Sequence, residues 1–172
     1  MMECRICTLF SYIDGEIAGL QNNLYDRKII AKYQCGFQPG KSTLDNLFYL
    51  QQEILFGFEN KQSTVCIFFD IEKPFDRLSP QSIIQALDHY NFRGHILPFV
   101  SNFLSNRMFQ VRINDMLSNP KNQETGIPQG SVLSPLLLIL AINSISFVIH
   151  YPVQYLLYAD DLAIFMRNKD FH

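Results

Sequence analysis

Apolar residues recur at helical spacing through Ile13, Ile17, Leu20 and Leu24, which predicts a helix over Ile13–Ile30 with Asp14 as its N-cap. Gly36–Ser42 (GFQPGKS) interrupts this pattern as a loop, because Pro39-Gly40 is a turn dipeptide. Thr43 then caps a second helix, with Leu44, Leu47, Phe48, Leu50, Ile54 and Leu55 on its buried side. Thr64–Phe69 (TVCIFF) is β-branched and aromatic and predicts a buried strand that ends on Asp70. Ser79-Pro80 opens another helix, with Ile83, Ile84, Leu87 and Tyr90 as its apolar positions. Gly94 separates it from a helix through Ile96, Leu97, Phe99, Val100, Phe103 and Leu104. Met108–Ile113 alternates and runs into Asn114-Asp115, a hairpin signal. Gly126–Gly130 (GIPQG) is a loop that feeds a long apolar helix. Val153–Tyr158 and Leu162–Met166 are strand-like on either side of a tight Ala159-Asp160-Asp161 connection.

Strands and helices mix without regular alternation, so the predicted class is α+β. The last strand runs almost to the C-terminus, where it would leave a sheet edge uncovered, and this predicts a fragment of a larger domain. Thr125–Ala159 carries no Asp, Glu, Lys or Arg, and Val132–Ile149 within it has the composition of a membrane span. Ser131, Ser134, Pro135, Asn143, Ser144 and Ser146 interrupt that stretch, and basic flanks are missing, so it reads as a buried helix with no membrane partner.

Composition narrows the function classes. The chain has 172 residues, of which 48% are hydrophobic and 17% charged, so it is not a disordered polymer. Fourteen Lys and Arg against sixteen Asp and Glu leave a net charge of −2. Any grip on nucleic acid must therefore come from a local patch and not from bulk charge. Cys4 and Cys7 have C-x-x-C spacing, but no second pair follows and the histidines are scattered. Free thiols in a reducing compartment are the reading, not a zinc site. Glu3 and Arg5 break any signal-peptide core, so no targeting segment is expected; the compartment, intracellular and either nucleus or cytoplasm, is not readable from the sequence.

Three carboxylates stand in apolar surroundings. Asp70 ends a strand, and Asp160 and Asp161 sit at the tip of an apolar hairpin. Burying clustered carboxylates costs several kcal/mol unless something compensates. A divalent cation with hard oxygen ligands and open water positions, Mg²⁺ by preference, is the simplest compensation. A paired site with ions ~3.5–4 Å apart can activate a hydroxyl and stabilise the leaving oxygen of a phosphoryl transfer. Side chains alternate along a strand, so Asp160 is expected to be the stronger ligand and Asp161 the weaker. A plain polar turn is the alternative for Asp160-Asp161 taken alone.

Four stretches, in order, resemble the reverse transcriptase domain of non-LTR (LINE-like) retrotransposons. GFQPGKST (Gly36–Thr43) resembles the fingers block, and FFDIEKPFDRL (Phe68–Leu78) resembles the first catalytic block. GIPQGSVLSPLL (Gly126–Leu137) resembles the second, and YADDL (Tyr158–Leu162) the metal-binding block. RICTL (Arg5–Leu9) is a weaker echo of a further block. The resemblance implies a right-hand polymerase palm with partial fingers, an antiparallel palm sheet packed on helices, and no thumb. It implies partial fingers over residues 1–62 and palm over 63–172, with a fingers insertion near 105–130. It also implies template-directed DNA synthesis, with an RNA template, a DNA primer, dNTPs and two Mg²⁺, for which Mn²⁺ is a possible substitute.

By the same resemblance, Asp70, Asp160 and Asp161 are catalytic and hold the metals, with the Ile71 carbonyl as a further ligand. Phe75 is the steric gate against a ribose 2′-hydroxyl. Gln129 lies against the incoming nucleotide, and Gly130 lets the chain pass close to it. Arg5 touches the triphosphate, and Lys41 lies near the template. On physical grounds alone, Phe75 reads as core in preference to a gate, Gln129 reads equally as a turn residue, and Arg5 and Lys41 read as solvated surface charges.

Three departures stand out. Pro74 replaces the family's usual Ala and removes an N–H from the turn that cradles the triphosphate; a hydrogen bond to a charged group is worth ~1.5–3 kcal/mol, so weakened nucleotide binding is expected. Gln38 and Ile6 stand where the family tends to have Arg and Pro, and the loss of Arg removes a phosphate contact. The chain also stops soon after Asp161. The expected function is a retrotransposon RNA-directed DNA polymerase fragment, weak or inactive alone. The alternatives are a non-catalytic retroelement relic that binds nucleic acid or a protein partner, and another reverse transcriptase lineage such as the group II intron type.

Overall fold

The computed structural model describes residues 5–169, with side chains from Asp14 onward. In chain order the elements are α1 (Arg5–Asp26), α2 (Thr43–Glu59), β1 (Ser63–Phe69), α3 (Pro74–Arg77), α4 (Pro80–His89), α5 (Ile96–Leu104), β2 (Met108–Phe109), β3 (Arg112–Ile113), β4 (Met116–Leu117), β5 (Lys121–Asn122), α6 (Leu133–Ile142), a 3₁₀ turn (Asn143–Phe147), β6 (Gln154–Tyr158) and β7 (Asp161–Asn168). Two compact units share the chain. One runs up to Ile29 and resumes over Pro74–Ser134; the other holds Ile30–Lys73 and the chain from Pro135. Helices mixed with antiparallel sheets make this the α+β class that the mixed pattern predicts. Among the described residues, no helix is long and apolar enough to cross a membrane.

In the unit that holds the chain's middle, α4 packs on α5. Ser79 precedes the helix and Pro80 opens it, where a missing N–H is harmless. Ile83, Leu87, Val100 and Leu104 are buried, as their spacing predicts. Asn114 and Asp115 turn the chain between β3 and β4, and β2 pairs with β5 outside that hairpin. The first helix starts earlier than the periodicity indicates. Asp14 is an exposed residue within α1 and not its cap, because the apolar pattern marks only the packed part of a longer helix.

The other unit is built on a three-stranded antiparallel sheet ordered β1-β7-β6. The final strand is therefore central, and β1 is an edge, which corrects the expectation of an uncovered last strand. Strand β7 pairs on both sides because β6 reaches it through a tight turn while β1 closes on it from far away in sequence. Helix α2 lies on one face of this sheet. Leu156, Ala163 and Phe165 form the core there, with Tyr33, Tyr49, Leu50 and Cys66 packed against them. Leu136–Leu140 are buried, so the charge-free stretch is a buried helix, though it ends at Ile142 and tightens into the 3₁₀ turn.

Two burial expectations fail. Leu44, Leu47, Phe48 and Leu55 of α2 are exposed, and Ser42, not Thr43, is the N-cap. On β1, Val65, Ile67, Phe68 and Phe69 are all exposed, and Cys66 packs against the core. The apolar stripe of α2 is wider than the three-stranded face it packs on, and the edge strand β1 loses its cover on both faces toward its C-terminal end, where Phe68 and Phe69 line the open cleft.

Candidate active site

Asp70 follows the last residue of β1, and Asp161 opens β7. Phe69 pairs with Leu162, so continuing the antiparallel register sets Asp70 beside Asp161. Asp160 lies in the two-residue turn between Tyr158 and Asp161, which pair with each other. One end of one sheet thus gathers all three acids. Strand pairing does this, because it brings β1 onto a hairpin encoded far downstream.

The acids share a negative field. Partial burial pushes the Asp161 carboxyl above its ordinary value, and the charges of Asp160 and Asp70 push it the same way. Asp161 is still exposed as a residue, so the desolvation is incomplete and the like charge is the durable part of its environment. Asp160 is half-buried and Asp70 exposed. No ion pair among the described residues involves any of the three. Nor do three potential ligand side chains gather closely enough, among the described residues, to cage an ion by themselves. All three donors are hard oxygens in an uncompensated negative field. They fit a divalent cation that draws its remaining oxygens from water or a bound phosphate. A cleft of about 520 Å³ opens beside them, lined by Leu47 and Leu50 of α2, by Phe68 and Phe69, and by Asp70 and Asp161.

The turn between β6 and β7 is held from outside. Ala159 has φ of 55°, a left-handed conformation uncommon for a residue with a Cβ. Gln34, which the periodicity passes over, is 1% exposed and bonds to this residue. Beside it, Cys35 N–H donates to the Leu157 carbonyl at 2.9 Å and Leu157 N–H to Tyr33 at 3.0 Å. Asn46 of α2 donates to the same Leu157 carbonyl at 2.9 Å. Lys41 does not stand free: its ammonium donates to the carbonyls of Gln34 at 3.0 Å and Lys32 at 3.4 Å. Ile71 follows Asp70 directly and is half-buried.

The other unit holds a second set of expected residues. Lys73, at φ 50°, leads into α3, which Pro74 opens at a position that needs no N–H. The half-buried Phe75 accepts the Ile127 N–H on its carbonyl at 2.6 Å, and Gly126 N–H donates to Leu78 at 2.8 Å. Gly126 has φ of 81°, and a Cβ there would meet the Phe75 carbonyl at 2.7 Å. The Arg107 guanidinium fixes this loop by donating to Gly126 at 2.6 Å and Thr125 at 3.2 Å. Gln129 donates to Asp76 at 3.3 Å, which ties the loop to α3, and Gly130 adopts φ of 89°. Arg5 opens α1, but its side chain lies outside the described part. Cys4 also lies outside the described residues, as does the side chain of Cys7. Cys35 and Cys66 are free thiols.

A family model described as reverse transcriptase (RNA-dependent DNA polymerase) matches residues 7–172. A probable RNA-directed DNA polymerase from transposon BS of Drosophila melanogaster is 31% identical over 156 residues, which is 87% of this chain and 17% of that protein. The RNA-directed DNA polymerase from the mobile element jockey of the same species is 31% identical over 150 residues, 83% of this chain and 16% of the relative. This chain thus spans about a sixth of the length of these curated relatives. Among solved structures, apo telomerase from Candida tropicalis, truncated from its C-terminal domain, superposes with a TM-score of 0.66 at 15% identity. That superposition covers 92% of this chain and 35% of the telomerase and shows a shared fold.

Proposed function

Because the chain belongs to the reverse transcriptase (RNA-dependent DNA polymerase) family, with relatives among non-LTR retrotransposon polymerases, we propose that it is the catalytic-acid portion of an RNA-directed DNA polymerase. The reaction transfers the nucleotidyl group of a dNTP to a DNA primer 3′-hydroxyl on an RNA template and releases pyrophosphate. The observation that carries this reading is the β1–β7 register, which sets Asp70 beside Asp161 in a shared negative field. Two Mg²⁺ ions, with Mn²⁺ as a substitute, would supply activation of the hydroxyl and charge stabilisation on the leaving oxygen.

Asp70, Asp160, Asp161 and the Ile71 carbonyl are the groups assigned to hold them. Phe75 excludes a ribose 2′-hydroxyl, and Gln129 and Gly130 border the nucleotide. Arg5 takes the triphosphate, and Lys41 lies toward the template. The tie between Gln129 and Asp76, and that between Phe75 and Ile127, support treating α3 and the GIPQG loop as one nucleotide-facing piece.

Pro74 favours a second reading, a derivative that keeps the fold without synthesis, because the first residue of α3 offers no N–H to a phosphate. Primer extension on an RNA template with Mg²⁺, run beside a Mn²⁺ thermal-shift titration, separates the two. The polymerase reading expects Mn²⁺ to raise the melting temperature of the wild type but not of Asp70→Asn. It also expects any extension, slow in this chain alone, to vanish in Asp160→Ala. Extension that survives Asp160→Ala, or a Mn²⁺ shift that ignores Asp70, overturns the assignment of the acids.

A further inference from the structure

We propose that Gln34 is the positioning residue for the acid pair, holding the turn that presents Asp160 and Asp161 by clamping both backbone polar groups of Ala159. Its Nε2 donates to the Ala159 carbonyl at 3.0 Å, and its Oε1 accepts the Ala159 N–H at 2.9 Å. The same Oε1 accepts the Gly36 N–H at 2.8 Å. One carboxamide thus serves three backbone groups, and its orientation follows from them: the carbonyl of Ala159 needs a donor and its amide an acceptor.

The turn needs this support. Two-residue hairpin turns take Gly, Asn or Asp where φ is positive, and Ala has neither their freedom nor a polar side chain to satisfy the backbone locally. Ala159 is 7% exposed, so water does not satisfy its N–H and C=O. The clamp is itself anchored. The Gln34 carbonyl accepts from Lys41 at 3.0 Å and from Gln38 at 2.5 Å, and Gln34 bridges in parallel to Leu157 of β6. The carboxamide bonds to Ala159 and Gly36 and not to an acid. It acts on the acids through the residue that sets the direction of the chain entering Asp160.

The functional part of this inference rests on the reading that these acids hold divalent cations. Its test uses the full chain, with Mn²⁺ affinity measured by electron paramagnetic resonance and amide exchange at Ala159 measured by NMR. Gln34→Met keeps the length and removes the three carboxamide hydrogen bonds, while the backbone bonds of residue 34 remain. It is expected to speed Ala159 amide exchange at least about tenfold relative to the amide of Phe165 and to weaken Mn²⁺ binding by up to about tenfold, the low end of the loss when a group bonded directly to a metal ligand is removed, because Gln34 acts one residue further out. Leu137→Ala, a buried substitution on α6, is the control: it lowers stability and is expected to leave Mn²⁺ affinity of the folded chain unchanged. Wild-type exchange and Mn²⁺ affinity in Gln34→Met overturn the proposal, as does an equal loss of affinity in Leu137→Ala. If Gln34→Met does not fold, Gln34→Asn keeps a carboxamide but shortens it by one methylene, so it falls short of Ala159. Exchange at Ala159 should quicken in that variant as well, and wild-type protection there counts against the clamp. If Asp160→Asn binds Mn²⁺ like the wild type, the metal reading fails, and amide exchange still decides whether Gln34 holds the turn.

Discussion

A Cβ added to Gly36 would lie 2.0 Å from the amide nitrogen of Ala159 and 2.7 Å from its Cα. These atoms belong to the backbone of the acid-bearing turn, so they cannot swing aside as the end of a side chain would. Gly36→Ala is therefore expected to destabilise the chain at or beyond the upper end of the ~1–3 kcal/mol typical of overpacking. Urea unfolding followed by circular dichroism measures it. A change under about 0.5 kcal/mol, the range of ordinary surface substitutions, would show that the approach is not as close as described.

A second prediction concerns Glu53 and Arg167, which join α2 to β7. Their side chains are 18% and 19% exposed, and the guanidinium lies 3.1 Å from the carboxylate. Gln154 donates to the same Glu53 oxygen at 3.0 Å, and Tyr49 donates to Gln154 at 3.1 Å. Arg167 also stacks over Phe56 at 4.4 Å. Arg167→Met is expected to cost about 3 kcal/mol, because it leaves Glu53 charged and largely buried without its cation. The double variant Glu53→Leu/Arg167→Met should recover most of that loss, and chemical denaturation of the three chains gives the comparison.

The acids, the Ser79-Pro80 helix start and the Asn114-Asp115 turn were legible along the chain because each is a local signal. Gln34 was not. It lies in a loop without periodicity, and its partner Ala159 is adjacent only after β6 and β7 have formed. The exposure of Leu47 and Phe48 was likewise hidden, since helical spacing marks an apolar stripe without saying how wide a surface will cover it. α3 escaped notice because it is a four-residue helix with too few positions for a period.

The third prediction is one of pH. The backbone N–H of Ser42 donates to the Asp45 carboxylate at 2.6 Å and its hydroxyl does so at 3.0 Å, and these bonds hold Asp45 below its ordinary value of 3.8. A carboxyl depressed in the folded state stabilises that state above its unfolded pKa and loses the contribution as pH falls through the folded one. Asp45→Ala should therefore melt lower than the wild type at pH 7, with the gap closing as pH drops below 3.8. A gap that is constant between pH 7 and pH 2 would remove the charge from the explanation. Thermal melts across that range read it directly.

The wide separation along the chain between Asp70 and the Asp160-Asp161 pair has a kinetic and evolutionary consequence. The acids meet only after the whole intervening stretch has been closed into a loop, so β1 docking on β7 is a high-contact-order event and belongs late in folding. Once that closure is made, its entropy grows only logarithmically with length, about 0.6 kcal/mol for each doubling. The β2–β5 region can therefore lengthen or shrink between related chains at small thermodynamic cost, while the strand ends that carry the acids stay where they are.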